Sequence, residues 1–173
     1  MAWNPPKTWV PLEGAISSDM NTYVRDNTNF LYSPPSARVY NNAAIEVPNN
    51  DTKKLPFNQE RKDTDNIHST SSNPTRLTCK TPGNYSVYGN VRFASNATGS
   101  RIVAIRKNGT DVYASARIPA VNGGTTNIPI YTEIDLEAGD YVELTAWQNS
   151  GGPLNVESEA FFTPEFGMSW KGA

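Results

Sequence analysis

The sequence predicts an all-β domain, an antiparallel jelly-roll sandwich of about ten strands, preceded by an N-terminal extended segment and one short helix. From Ala37 onward, apolar and polar residues alternate with a period of two in short runs. Clusters of Gly, Pro, Asn and Asp separate these runs and are typical of turns. Helical spacing of apolar residues occurs only before Ser33-Pro34-Pro35. We therefore divide the chain into an N-terminal segment, residues 1–35, and a β domain, residues 36–173.

The N-terminal segment begins with a lead that is rich in Trp and Pro. Its apolar residues have no partner strands in the sequence around them; they are Trp3, Trp9, Val10 and Leu12. A helix is predicted over residues 17–31, with Ser17 or Ser18 as N-cap and Asp19 in the first turn. One face carries the apolar residues Met20, Tyr23, Val24, Phe30 and Leu31. A single helix of about four turns is not stable alone, so it docks on its own head, on sister copies or on a larger particle.

The β domain is predicted to contain short strands at residues 38–40, 43–47, 53–57, 75–79, 85–93, 102–107, 111–118, 127–136, 140–147 and 156–162. The chain closes on strand-like residues 167–170. Residues 58–73 are too polar to bury and indicate a long loop. Structural turns are predicted at three dipeptides, Pro82-Gly83, Asn108-Gly109 and Gly139-Asp140. Asn-Gly between β runs is the strongest short hairpin signal, because both residues accept positive φ.

The composition excludes several classes of partner. The net charge is -2 and the pI about 5.4, so we expect no nucleic-acid binding. The longest apolar runs are too short to cross a bilayer, so no membrane insertion is expected. Charged residues make up only 18% of the chain, and its polarity comes from Asn, Thr, Ser, Gly and Pro, as in extracellular or virion β-proteins. The N-terminus lacks an apolar stretch of signal-peptide type, so we expect no export by that route.

No combination of residues points to catalysis, a metal or another cofactor. Cys79 is the only cysteine and His68, in the predicted polar loop, the only histidine, so neither an intrachain disulfide nor a Cys/His metal set can form. Asp63 and Asp65 could offer oxygens to calcium, but the segment lacks the Gly and distal Glu of a calcium loop, and a solvated loop is favoured.

The remaining candidates also have simpler interpretations. Glu157 and Glu159 lie two apart on one predicted strand, and exposed face residues are favoured over a catalytic pair. Trp147 and Trp170 are interpreted as core or interface residues rather than as a platform for a sugar ring. We therefore expect a protein that is not an enzyme.

The β domain resembles the complement component one-q and tumour-necrosis-factor-like jelly roll. The resemblance rests on three ordered blocks: RLTCKTPGNYSV at residues 76–87, RKNGT at 106–110 and IDLEAGDYVEL at 134–144. It covers roughly residues 37–170, and the polar insertion at 58–73 departs from the pattern. The resemblance implies a ten-strand jelly roll that assembles as a homotrimer through apolar and aromatic strand faces.

The N-terminal segment is similar to the opening of virion proteins of tailed bacteriophages. The similar stretches are KTWVPLEG at residues 7–14, where Glu-Gly replaces the usual Gly-Glu order, and SDMNTYVRDN at residues 18–27. In those proteins this opening also precedes a complement-type head. The resemblance implies a particle-attachment segment, in which Arg25 and Asp26 pair or contact neighbouring copies. Virions assemble in the host cytoplasm and leave by lysis, which agrees with the lack of a signal peptide.

The first interpretation is therefore a non-enzymatic virion component, a trimeric knob on the tail or on the capsid, bound to other virion proteins. The rival interpretation is a carbohydrate-binding module that recognises a glycan on the host surface. Enzymatic depolymerisation would require an acid pair, which the jelly-roll resemblance does not supply. A third interpretation is a capsid-cementing protein with no receptor role.

Overall fold

The computed structural model describes residues 3–173. The chain divides into two compact units, Met1–Pro34 and Pro35–Ala173. No helix in the described part of the chain is long and apolar enough to cross a membrane.

The N-terminal unit contains one helix, α1, over residues 17–32. It is α-helical at Ser17–Asp19 and Asn27–Tyr32 and has wider, π-helical turns at Met20–Asp26. Ile16 occupies the N-cap position without a side-chain cap, so the prediction of a Ser17 or Ser18 cap is wrong. The entry to the helix is held instead by Lys7, which pairs with both Glu13 and Asp19.

The second unit is built from strands. They are β1 Ser36–Tyr40, β2 Ile45–Val47, β3 Thr52–Lys54, β4 Gln59–Asp63, β5 Arg76–Thr78, β6 Gly83–Phe93, β7 Ser100–Lys107, β8 Asp111–Pro119, β9 Thr126–Leu136, β10 Tyr141–Gln148, β11 Leu154–Val156 and β12 Glu165–Gly172.

These strands form two antiparallel sheets, which confirms the predicted sandwich. In the first sheet the order is β9–β6–β12–β1–β4, with β11 beside the Phe93 end of β6 and β2 outside β11. In the second sheet β3 and β5 both pair with one edge of β10, and β7 and β8 follow on the other side. The described chain has twelve strands where about ten were expected, because β4 is additional and the strand-like residues 167–170 form a full strand, β12.

The core lies between the two sheets and is made by alternate residues of the long strands. On β6 every second residue from position 85 is buried, namely Tyr85, Val87, Gly89, Val91 and Phe93, while the residues that alternate with them are not. Facing residues from the second sheet include Val103, Ile105 and Leu144. Phe57 and Phe166 stack at the centre, with ring centroids 5.8 Å apart. This closed core keeps the functional candidates on the outer faces and at the ends of the sandwich.

The segment at residues 58–73 is not the solvated loop that its polarity predicts. Its first part is β4, which pairs with β1 and whose side chains are mainly exposed. Charged residues are typical of an edge strand, because they discourage pairing with other chains. Further along, Ile67 and His68 are buried, and the His68 Nδ1 lies 2.8 Å from Glu60 Oε1. His68 therefore lies in the loop between β4 and β5, as predicted, but it is buried rather than solvated.

The strand predicted at residues 156–162 is also wrong beyond its first residue. β11 ends at Val156, and a tight turn joins Glu159 to Phe162. The reason is that two strands share one edge of β6. β11 pairs with β6 at Phe93, and β12 occupies the same edge from Asn90 back to Asn84. The displaced turn leaves Phe161 fully exposed.

Candidate functional site

The N-terminal unit folds its extended lead back onto α1. The Trp3 and Phe30 rings lie 6.0 Å apart, and the Asn27 side chain both accepts from the Asn4 amide and donates to its carbonyl. Lys7 lies 4.5 Å from the centre of the Trp9 ring. Trp3 is thus partly covered and Phe30 buried, while the predicted attachment residue Tyr23 is half-buried. Arg25 and Asp26 pair with each other, with Arg25 Nη2 2.8 Å from Asp26 Oδ1.

The other predicted attachment residues remain exposed. We define the apolar stripe as Ile16, Met20, Val24 and Leu31, whose exposed fractions are 57%, 43%, 46% and 59%. Trp9, Val10 and Leu12 of the lead are exposed as well. Ile16 was not among the predicted residues, although its position four residues before Met20 could have identified it. An apolar row of this kind on a helix is typical of a surface that another protein covers.

Two of the predicted turns lie together at one end of the sandwich. Asn108 and Gly109 have φ values of 51° and 79°, as an Asn-Gly hairpin turn requires, and Gly139 has a φ of 95°. Asp140 joins the two turns: its carboxylate accepts from Asn108 Nδ2 at 2.8 Å, pairs with Lys107 Nζ at 2.7 Å and accepts from the Glu137 amide at 3.0 Å. These contacts lower the pKa of Asp140 to about 2, the Asn108 hydrogen bond contributing most.

The third predicted turn lies against the last strand. Gly83 begins β6 with a φ of 145°, and Trp170 Nε1 donates to the Pro82 carbonyl at 3.2 Å. A side chain at residue 83 would collide with the Trp170 indole. Trp170 is thus a packing residue of this corner, as the core or interface interpretation predicted.

The outer face of the first sheet combines tyrosines with very small residues. Tyr88 on β6 is in register with Tyr131 on β9 and with Gly167 on β12. The Tyr88 ring lies over Gly167, and burial raises the pKa of its hydroxyl. Tyr131 is 57% exposed. Ser86 and Ser169, the next outward pair, are also small, so this part of the face is flat. Glu133 on β9 is in register with Ser86 and accepts from the Tyr131 hydroxyl at 2.7 Å.

Ion pairs border this flat area along β1, β4 and β12. Glu165 accepts from Arg38 Nε and from Arg61 Nε, each at 2.7 Å. The Arg61 guanidinium also lies 4.2 Å from the centre of the Tyr40 ring. An aromatic centre with a charged border is the usual anatomy of a protein–protein interface.

The outer face of the second sheet carries a groove of about 280 Å³. It is lined by Thr52, Ile102, Ala104, Arg106, Val112, Ser115, Thr145 and Trp147. Trp147 therefore contributes to a concave surface, whereas the sequence predicted a core or interface residue. The groove exists because three small residues, Ala104, Ser115 and Thr145, are in register on neighbouring strands. The sequence shows that each residue is small, but only the strand register shows that they are neighbours.

The titratable candidates are all engaged in structural contacts. Cys79 is buried, and burial raises the pKa of its thiol. The Asp63 carboxylate accepts from the amides of Asp65, Ile67 and His68. Glu157 and Glu159 both pair with Arg92. Among the described residues there is no group of three or more His, Cys, Asp or Glu that could hold a metal ion.

Comparison with known proteins establishes the fold. No protein-family model matches the chain, and no curated protein matches its sequence. Solved structures do match. The globular domain of zebrafish complement 1qA protein superposes with a TM-score of 0.58 at 15% identity, covering 79% of this chain and 96% of that one. Murine APRIL at pH 5.0 superposes with a TM-score of 0.58 at 10% identity, covering 79% and 98%. The second unit thus has the complement one-q and tumour-necrosis-factor-like jelly-roll fold.

Proposed function

We propose that this protein is a non-enzymatic structural component of a tailed-bacteriophage virion. In this proposal the jelly roll is a knob on the tail or capsid surface, and the N-terminal unit fastens it to other virion proteins. The observation that carries the proposal is the apolar stripe, because four exposed apolar side chains along α1 and its N-cap residue favour a partner surface. The similarity of residues 7–27 to the opening of phage virion proteins supports the same role.

The knob is proposed to be a homotrimer that associates through the outer face of the first sheet. Tyr40, Tyr88 and Tyr131 supply aromatic contact area there, and Gly167 keeps the face flat. The jelly-roll resemblance implies the same assembly. The described residues contain no disulfide that would stabilise a single subunit, since Cys79 is free.

The test is the position of the protein in intact virions of the phage that encodes it. Immunogold labelling in negative-stain electron microscopy is expected to place the protein on the tail or on the capsid. A label on the major capsid protein serves as the positive control. Purified virions that lack the protein altogether would contradict the proposal.

A second candidate function is recognition of a host-surface glycan, and the groove on the second sheet favours it. A capsid-cementing role without a receptor is the third. The two differ in whether the isolated protein binds sugar, which the next experiment measures.

A further inference from the structure

The groove on the second sheet has large side chains at both ends and small side chains between them. Trp147 and Ile102 are cross-strand neighbours at one end, and Arg106 with Val112 forms the other. Between them lie Ala104, Thr145 and Ser115 in one row across three strands. Four residues along a strand span about 13 Å. The depression therefore has the length of one or two sugar rings.

Arg106 brings an unsatisfied charge to this groove. Its Nη1 donates to the Thr110 carbonyl at 3.2 Å, but its Nε is buried and, within residues 3–173, has no hydrogen-bond partner. No carboxylate of the described residues forms an ion pair with it. The terminal guanidinium nitrogens form one hydrogen bond within the described residues, so they keep donors for an acceptor that a ligand would supply.

The face around the groove is cationic although the chain as a whole is acidic. Among the described residues, the outward positions of its strands carry Lys54, Arg76, Arg106 and Arg117 against one carboxylate, Glu143. Glu143 is already held by Lys54 Nζ at 2.7 Å and by Arg76 Nε at 3.4 Å. Of these four residues, Arg106 is the one that lines the groove, so it is left to bind an anion there.

We propose that this groove binds a saccharide that carries a carboxylate, such as a uronic acid unit of a glycan. The carboxylate would accept from the Arg106 guanidinium, whose planar donors fit that group. The apolar side of the ring would lie against Trp147 and Ile102, and the Thr52 and Ser115 hydroxyls would bond to ring hydroxyls. A neutral sugar leaves Arg106 unsatisfied, and an apolar peptide leaves both hydroxyls unsatisfied. This inference rests on the second candidate function, glycan recognition, and names its sugar class; it does not depend on the virion role.

The experiment compares two probes that differ only at the carboxylate, methyl β-D-glucuronide and methyl β-D-glucoside. Each is titrated into the isotope-labelled full-length protein while amide resonances are followed by NMR. Saturable shifts are expected at residues 102–106 and 145–147, in the millimolar range for a single ring. The glucuronide is expected to bind about tenfold more tightly, as a hydrogen bond to a charged group implies.

Variants separate the specific contact from the general positive field. Arg106→Gln is expected to reduce glucuronide affinity about tenfold and to abolish the preference over the glucoside. Ser115→Tyr fills the groove from an exposed position, so both sugars should stop binding. Arg117→Gln removes a charge from the same face outside the groove, so glucuronide affinity should change less than about twofold.

Three results would overturn the inference. They are the absence of saturable shifts with the glucuronide, equal affinity for the two sugars, and an equal loss of affinity in Arg106→Gln and Arg117→Gln. The melting temperature of each variant shows whether a lost signal reflects unfolding. Because the isolated protein is used, failure here leaves the virion proposal standing, and labelling that fails to find the protein on virions leaves this inference standing.

Discussion

Asp140 joins two turns that are distant in the sequence. Its partners are two hydrogen-bond donors and a cation, so they stabilise its ionised form. Asn108 and the Glu137 amide donate to the carboxylate, and Lys107 pairs with it. Replacing Asp140 with Asn removes the ion pair and is expected to cost about 1–2 kcal/mol of the free energy of unfolding. Thermal or urea unfolding at pH 7 measures it. Asp111→Asn, an exposed change in the adjacent hairpin, should stay within about 0.5 kcal/mol.

The same residue predicts a pH dependence. The folded pKa of Asp140 is about 2, below the ordinary value of 3.8, so folding favours its ionised form. Its stabilisation is therefore complete above pH 3.8 and is lost as the pH falls through about 2. The difference in melting temperature between the wild type and Asp140→Asn should shrink steadily over that window. A difference that stays constant from pH 5 to pH 2 would show that the carboxylate charge is not what stabilises the turns.

A substitution at Gly139 measures the free-energy cost of backbone strain without a steric clash. Its φ is 95°, and a Cβ placed there would meet nothing within 4 Å. Gly139→Val is therefore expected to cost about 1–3 kcal/mol through strain alone, since no clash adds to it. Gly139→Asn should cost less, because Asn tolerates positive φ better than β-branched residues do. Chemical denaturation of both variants checks this, and an unchanged stability for Gly139→Val would refute the strain argument.

At the scale of elements, residues 58–73 show what the pattern of a sequence can and cannot predict. The long strands were predictable because one side of each faces the core, which imposes alternation. β4 was not, because an edge strand with exposed side chains carries no such alternation. The burial of Ile67 and His68 could not be predicted from the sequence either. Ile67 bonds to Asp63 and His68 to Glu60, and both of these partners lie on β4, whose position is set by its pairing with β1. The groove was hidden for the same reason, because three strands must be in register before Ala104, Ser115 and Thr145 align.

Ile67 provides the test of this corrected segment. It is only 2% exposed, so Ile67→Ala is expected to leave a cavity and cost about 2–4 kcal/mol. Ser71→Ala, an exposed change in the same segment, should stay within about 0.5 kcal/mol. Equal melting temperatures for the two variants would mean that the segment is a solvated loop after all.

At the scale of the whole molecule, the proposed trimer predicts a mass and an interface. Light scattering of the purified protein at micromolar concentration should give about three times 19.0 kDa. Tyr131→Arg places a charge on the proposed interface face and should shift the mass toward that of a monomer. Tyr113→Arg is the matched control, because Tyr113 is 45% exposed on β8 of the other sheet. A wild-type monomer, or equal dissociation in both variants, would contradict the proposed interface.

From the two-unit organisation we predict that the second unit folds without the first and cannot join particles alone. Its core residues all come from the second unit, and the Pro35 carbonyl accepts from the Trp170 amide at 2.9 Å. A chain that starts at Pro35 keeps this bond and the full pairing of β1 with β12. Such a chain should show a cooperative thermal transition and a β-type circular dichroism spectrum, yet fail to bind particles that lack the native protein.

A full-length variant separates loss of the apolar stripe from loss of the whole unit. Met20→Asp with Val24→Asp adds two charges to the stripe and should abolish binding to particles, because charged groups resist burial. Asn21→Asp with Asn29→Asp adds the same charge at exposed positions outside the stripe and should leave binding unchanged. If the chain starting at Pro35 unfolds, the N-terminal unit is required for the stability of the sandwich. If that chain still binds particles, the attachment surface lies on the jelly roll, and the stripe has another partner.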